Sequence, residues 1–221
     1  MTLIENDQQV ILEPEQPAQA VVIWLHGLGA DGHDFVPVVP HLGLPDQLAV
    51  RFIFPQAPVQ PVTVNNGYPM RAWYDILAMG ASREINEQTL FESVVRINQL
   101  ISDQIDQGIS PDRILLVGFS QGGAVAYETG LSFPLPLAGV AALSTYLATD
   151  PAARLERSQG FPIWIGHGTA DDVVPLTLGE QARSRLVELG LTPDWQTWPM
   201  AHEVVLDEIQ ALGRWISKRF N

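Results

Sequence analysis

The chain has 221 residues, of which 12 are lysine or arginine and 25 are aspartate or glutamate, so its formal charge is −13. Hydrophobic residues make up 46% of the chain and charged residues 17%, which is enough apolar material for one sizeable core. We therefore expect a single domain over residues 1–221. An acidic surface without a basic cluster repels phosphate backbones, which argues against a nucleic-acid partner.

The chain contains no cysteine, which excludes disulfides, thiolate metal ligands and a cysteine nucleophile. The N-terminus carries Glu5 and Asp7 instead of a basic region followed by an apolar one, and no apolar run approaches the ~18 residues of a membrane span. We expect a cytoplasmic protein without stable membrane insertion. The composition is compatible with a monomer or a homodimer.

Continuous apolar runs predict strands that are buried on both faces. In chain order these runs cover residues 21–25, 51–55, 114–118, 137–143 and 162–166. Residues 8–12 predict an antiparallel edge strand, and residues 194–198 a further strand. Apolar residues at helical spacing predict helices over about residues 90–105, 176–189 and 204–220. This alternation predicts an α/β fold with a mostly parallel sheet covered on both faces, interrupted by a long loop over residues 56–80.

The carboxyl ends of parallel strands are where such sheets bind ligands, and the strand over residues 114–118 ends in a GxSxG sequence. Ser120 is its central residue, with glycine at positions 118 and 122. In this motif a sharp turn between strand and helix exposes the serine hydroxyl beside backbone amides. The sequence therefore predicts Ser120 as a nucleophile.

A serine nucleophile needs an imidazole base and a carboxylate that orients the imidazole. Only His167 and His202 follow Ser120, and the chain order serine, acid, histidine favours His202 as the base. Among the carboxylates between Ser120 and His202, only Asp171 and Asp172 directly follow a buried strand. Position favours this pair without choosing between its members. A histidine base also predicts activity that rises with pH through about 6 to 7.

The loop over residues 26–35 contains three glycines and follows the first central strand. A tetrahedral intermediate needs two backbone donors, and we expect these from Gln121 and from Leu28 in this loop. Histidines 26, 33 and 41 are seven and eight residues apart, which matches no familiar ligand spacing. We expect neither a metal nor a cofactor.

Four ordered motifs resemble the acyl-protein thioesterase and bacterial carboxylesterase (phospholipase/carboxylesterase) family of α/β-hydrolases, over nearly the whole chain. They read HGLG at residues 26–29, GFSQGG at 118–123, HGTAD at 167–171 and PMAH at 199–202. The resemblance implies an α/β-hydrolase fold, the triad Ser120, Asp171 and His202, and oxyanion donation by Leu28 and Gln121. It thereby selects Asp171 over its neighbour.

Residues 69–75 resemble the aromatic segment that lies beside the active site in this family, which implies that Trp73 lines the acyl pocket; the residues alone are equally compatible with an ordinary core tryptophan. Ala201 stands where many relatives have glycine.

The expected activity is a cofactor-free serine hydrolase that cleaves carboxylic esters or thioesters through an acyl-enzyme. Its substrate would be a small-molecule ester or an acyl thioester, acylated proteins included. Two alternatives are a catalytically silent binding protein of the same fold and a lysophospholipase acting on lipid esters. The net charge opposes docking to anionic bilayers.

Overall fold

The structure is a computed structural model that describes residues 1–45, 47–80, 83–155 and 160–221. The strands in these residues are, in chain order, β1 (Thr2–Asn6), β2 (Gln9–Glu13), β3 (Ala20–Leu25), β4 (Val50–Pro55), β5 (Val59–Val62), β6 (Tyr68–Arg71), β7 (Ile76–Met79), β8 (Arg83–Ile85), β9 (Ile114–Phe119), β10 (Gly139–Leu143), β11 (Ile163–Gly168) and β12 (Asp194–Trp198). The α-helices are α1 (Glu87–Asp106), α2 (Gln121–Ser132), α3 (Leu176–Glu188) and α4 (Leu206–Phe220). Short 3₁₀ helices cover Val36–Leu42, Thr63–Asn65, Pro111–Arg113 and Pro151–Ala153.

Eight strands form one sheet in the order β1-β2-β4-β3-β9-β10-β11-β12. The pairs from β4 to β12 are parallel, whereas β1 with β2 and β2 with β4 are antiparallel. The register pairs Leu25 at the end of β3 with Gly118 near the end of β9. The loops that follow these two strands therefore begin side by side at the carboxyl edge of the sheet.

Alternating side chains of the central strands build a core on each face of the sheet. Val21, Ile23 and Leu25 of β3 pack in the core that contains α1, α2 and α3. Val22 and Trp24 lie on the opposite face, with α4 and the 3₁₀ helix Val36–Leu42. Both faces are covered, so continuous apolar runs are what these strands require.

The helices begin and end close to the predicted positions. The side chain of Asn86 caps α1 by accepting from the amides of Gln88 and Thr89. Gly108, with φ of 96°, follows the end of that helix in a left-handed conformation that glycine adopts without strain. None of the helices in the described part of the chain is long and apolar enough to cross a bilayer.

Two predictions about the sheet edges and loops were wrong in part. The strand predicted over residues 8–12 is β2 and is antiparallel, but β1 pairs on its outer side and forms the edge. All five residues of β1 are exposed, so no apolar pattern marks it. Residues 56–80 are not one irregular loop, because β5 pairs with β6 and β7 pairs with β8 in two small antiparallel sheets.

Candidate active site

Ser120 lies in a strained turn between β9 and α2. Its φ of 54° and ψ of −121° lie outside the regions that non-glycine residues ordinarily occupy. The turn is held by buried hydrogen bonds: the Ser120 amide donates to the Leu143 carbonyl at 2.9 Å, and Thr145 Oγ1 donates to the Ser120 carbonyl at 2.6 Å. The strained turn is thus held by the end of β10 and the residues that follow it.

Glycines flank Ser120 because backbone atoms lie where side chains would otherwise be. A Cβ on Gly118 would come within 2.4 Å of the Gly122 carbonyl oxygen. A Cβ on Gly122 would come within 2.5 Å of the carbonyl oxygens of Leu25 and His26. The GxSxG pattern therefore reflects the close approach of α2 to β9 and β3.

The structure brings Ser120, His202 and Asp171 into one hydrogen-bonded chain. His202 Nε2 lies 2.9 Å from Ser120 Oγ, and His202 Nδ1 lies 2.8 Å from Asp171 Oδ2. The carboxylate can only accept, so Nδ1–H donates to it, and Nε2 is left to accept from the serine hydroxyl. Asp172 is exposed, and among the described residues it makes no contact of this kind.

Asp171 stays ionised although it is largely withdrawn from solvent. Burial alone would raise its pKa, but hydrogen bonds from His202 and from the amides of Val174 and Val173 outweigh burial, so the pKa lies below its ordinary value. The two amides donate to Oδ1 at 2.8 and 3.0 Å, which leaves Oδ2 for His202. The carboxylate is therefore fixed in orientation and charge.

His167, the other histidine after Ser120, supports the same turn. Its Nε2–H donates to the Val174 carbonyl at 2.8 Å and lies 3.7 Å from Asp171 Oδ2. Burial lowers the pKa of His167, so the ring is neutral near pH 7. Sequence reasoning ruled out His167 as the base but did not find this supporting contact.

The backbone amides of Leu28 and Gln121 border the serine turn. Within the part of the chain that the structure describes, neither amide donates to another protein group. His26, two residues before Leu28, accepts from the Ala57 amide at Nε2 and therefore donates from Nδ1 to the Gly27 carbonyl at 2.7 Å. Burial lowers the pKa of His26, which favours this neutral form.

Trp73 is fully buried beneath these amides. Its Nε1–H donates to the His26 carbonyl at 2.8 Å, and its backbone amide donates to the side-chain oxygen of Gln121 at 2.7 Å. The ring has no exposed surface in this conformation. Contact between Trp73 and an acyl chain stays a prediction.

The β7–β8 hairpin contacts the turn that carries Asp171. The guanidinium of Arg83 donates to the Val173 carbonyl, and Arg83 pairs across the hairpin with Met79. Met79 is 52% exposed, Val173 46% and Leu77 38%. Exposed apolar side chains therefore lie close to the turn that carries Asp171.

The histidines considered as metal ligands do not converge. His26 is buried in the hydrogen bonds just described, whereas His33 is exposed and contacts Asp31 and Glu5. His41 lies near the end of the 3₁₀ helix Val36–Leu42. No group of three or more histidine or carboxylate side chains suited to a metal ion occurs among the described residues.

A second buried carboxyl group, Glu208, lies in the first turn of α4, just after the His202 loop. It is fully buried, and a Cβ added to Gly166 would lie 2.3 Å from Glu208 Oε1. Among the described residues, no hydrogen bond of ordinary length reaches either carboxyl oxygen. Burial raises the pKa of Glu208 to about 8, against a weaker opposing effect of the Val205 backbone.

The parallel sheet, the covering helices and the serine turn at the carboxyl edge define an α/β-hydrolase. The chain belongs to the phospholipase/carboxylesterase family, whose profile matches residues 6–220. This confirms the fold and the family that the four motifs implied.

Two curated relatives are similar over most of their length. The chain is 38% identical to acyl-protein thioesterase 1 of Neurospora crassa, over 90% of this chain and 86% of that protein. It is 31% identical to carboxylesterase SOBER1 of Arabidopsis thaliana, over 91% of each. The crystal structure of SOBER1 superposes with a TM-score of 0.87 at 30% identity, covering 92% of this chain and 100% of that one.

Proposed function

We propose that this protein is a serine hydrolase that cleaves carboxylic esters or thioesters through an acyl-enzyme. The observation that carries the proposal is the contact chain from Ser120 Oγ to His202 Nε2 at 2.9 Å and from His202 Nδ1 to Asp171 Oδ2 at 2.8 Å. These distances lie within the range over which a general base takes a proton from its nucleophile. Family membership supports the same chemistry.

In the proposed reaction, His202 takes the hydroxyl proton as Ser120 Oγ attacks the carbonyl carbon. The C–O or C–S bond to the leaving group breaks when the tetrahedral intermediate collapses, and His202 gives its proton to that group. Water then attacks the acyl-enzyme with His202 again as base, which releases the carboxylic acid and restores Ser120. Asp171 holds the imidazole tautomer and stabilises the imidazolium.

The oxyanion of each tetrahedral intermediate would accept from the amides of Leu28 and Gln121. Two observations support this assignment: both amides lack a protein acceptor in the described residues, and both flank the serine turn. Gln121 is also the first residue of α2, where the helix dipole favours negative charge.

Activity-based labelling and turnover test the proposal together. A fluorophosphonate should label Ser120, and Ser120→Ala should abolish labelling and lower kcat on p-nitrophenyl esters by roughly 10⁴- to 10⁶-fold. Circular dichroism should show that the variant is folded. A wild-type chain that neither reacts with the probe nor hydrolyses any ester or acyl thioester would support the silent binding protein instead.

We further propose that the acyl chain of the substrate lies against the exposed apolar side chains of the β7–β8 hairpin and Val173. Met79→Asp should then raise KM for a p-nitrophenyl octanoate about tenfold, the effect of burying one apolar side chain, and leave KM for the acetate nearly unchanged. Val95→Asp, an exposed apolar position on α1, is the matched control. Equal effects of Met79→Asp on both esters would refute this placement.

A further inference from the structure

We propose that the side chains of Gln121 and Trp73 are positioning residues that hold the two oxyanion donors, the amides of Leu28 and Gln121, in a fixed relation. The inference rests on the proposed function, because it concerns the oxyanion hole of that same site. It assigns to Trp73 a role that does not require contact with substrate.

The carboxamide of Gln121 binds the backbone of residues 73–74 as a peptide group would. Its Oε1 accepts from the Trp73 amide at 2.7 Å, and its Nε2 donates to the Tyr74 carbonyl at 2.7 Å. Gln121 is only 2% exposed, so both contacts are withheld from water. The amide side chain supplies this donor and acceptor pair without charge.

The same segment is fastened to the loop that contains Leu28, on both sides of that residue. Trp73 Nε1 donates to the carbonyl of His26, two residues before Leu28, at 2.8 Å. The amide of Gly29, one residue after Leu28, donates to the Arg71 carbonyl at 2.8 Å. Residues 71–74 therefore form a strut, which we name the 71–74 strut, between the start of α2 and the Leu28 loop.

The sheet itself does not hold the two donors together. The ladder between β3 and β9 ends at the pair Leu25 and Gly118, three residues before each donor. Beyond that pair the 71–74 strut connects the two loops. An oxyanion hole depends on donor placement, and a displacement of ~1 Å can lower the rate by on the order of 100-fold. Loss of the strut should therefore lower kcat more than it raises KM.

Two substitutions remove the contacts without removing either donor amide. Gln121→Met keeps the length of the side chain and the backbone N–H but loses both strut bonds. Trp73→Phe loses the bond to the His26 carbonyl and part of a buried ring, but keeps the backbone contacts with Gln121. We expect kcat on p-nitrophenyl acetate to fall roughly 10- to 100-fold in Gln121→Met, and less in Trp73→Phe, with KM changed less than about threefold.

Inhibitor binding separates positioning from a general loss of structure. A trifluoromethyl ketone forms a tetrahedral adduct with an oxyanion, so its affinity should fall by the same factor as kcat/KM. Gln99→Met, on the exposed face of α1, is the matched control and should retain wild-type kcat and inhibitor affinity. A fall in ketone affinity that does not follow kcat/KM, or unchanged kcat in Gln121→Met, would overturn the inference.

The test distinguishes this inference from the proposed function. Turnover that Ser120→Ala abolishes establishes the hydrolase, whatever Gln121→Met does. If the wild type has no turnover, the proposed function fails, and amide hydrogen exchange over residues 26–29 tests the strut directly. Faster exchange in Gln121→Met than in Gln99→Met supports the strut, and equal exchange overturns it. If Gln121→Met does not fold, Trp73→Phe answers the same questions.

Discussion

Glu208 is a buried acid whose carboxyl oxygens have no hydrogen-bond partner of ordinary length among the described residues, and its removal should change how stability depends on pH. Below about pH 4.5 its carboxyl is protonated in the folded and the unfolded chain. From there to about pH 8 the unfolded chain releases the proton and the folded chain keeps it, so the free energy of unfolding falls as pH rises. The stability that the buried, protonated carboxyl provides is fully present below about pH 4.5 and is lost as the pH rises to about 8.

The magnitude follows from the two pKa values. Each pH unit between them lowers the free energy of unfolding by about 1.4 kcal/mol. At pH 7 the buried carboxyl has therefore lowered the free energy of unfolding by about 3 kcal/mol relative to acid conditions. Glu208→Gln keeps the shape of the side chain and does not titrate. The unfolding free energy of Glu208→Gln minus that of the wild type should therefore rise by about 3 to 4 kcal/mol from pH 5 to pH 8.

Urea unfolding at intervals of one pH unit measures this difference. All other titrating groups are common to both chains and cancel, and Asp207→Asn, an exposed acid in the same turn of α4, is the control that should show no such trend. A difference constant to within about 0.5 kcal/mol from pH 5 to pH 8 would refute the reasoning, since the carboxyl would then be solvated or paired.

Three further predictions, two of them with a control substitution, test the site. Asp171→Asn should lower kcat about 10⁴-fold by losing the tautomer that His202 needs, whereas Asp172→Asn should leave it nearly unchanged; the reverse ranking in ester hydrolysis would contradict the assignment. Thr145→Val should lower the free energy of unfolding by about 1 to 3 kcal/mol in urea, because a buried hydrogen bond to the Ser120 carbonyl is lost. Thr145→Ser keeps the hydroxyl, and an equal loss there would point to packing instead. Gly122→Ala should prevent stable folding, since its Cβ meets two carbonyl oxygens at 2.5 Å; a variant with a wild-type melting temperature would show that α2 can move away from β3.

The central strands and the serine turn were predictable because burial on both faces leaves long apolar runs and because close backbone contacts demand glycine. β1 was missed because all its residues are exposed, and an exposed edge strand leaves no such pattern. The strands of residues 56–80 were missed because each has only four residues. So short a strand, with prolines and asparagines in and around it, shows no alternation of apolar and polar residues.

The contacts that support the site were harder to predict than the side chains to which we assign the reaction. Ser120 and His202 stand in recognisable motifs, and their chain order alone suggested their roles. The partner of the Gln121 side chain is a backbone segment almost fifty residues away, and only the folded arrangement of residues 56–80 brings it there. The contact of Thr145 was equally hard to predict. The sequence places this residue just after β10, but it does not show that the hydroxyl donates to the Ser120 carbonyl.

The 71–74 strut divides residues 56–80 into parts with different tolerance for redesign. The tip of the β5–β6 hairpin, where Tyr68 is largely exposed, could be exchanged for loops from other hydrolases without touching residues 71–74. Grafts that cross into residues 71–74 would remove the contacts that we propose hold the two oxyanion donors. Loop libraries for this scaffold should therefore end before Arg71 and begin again after Tyr74.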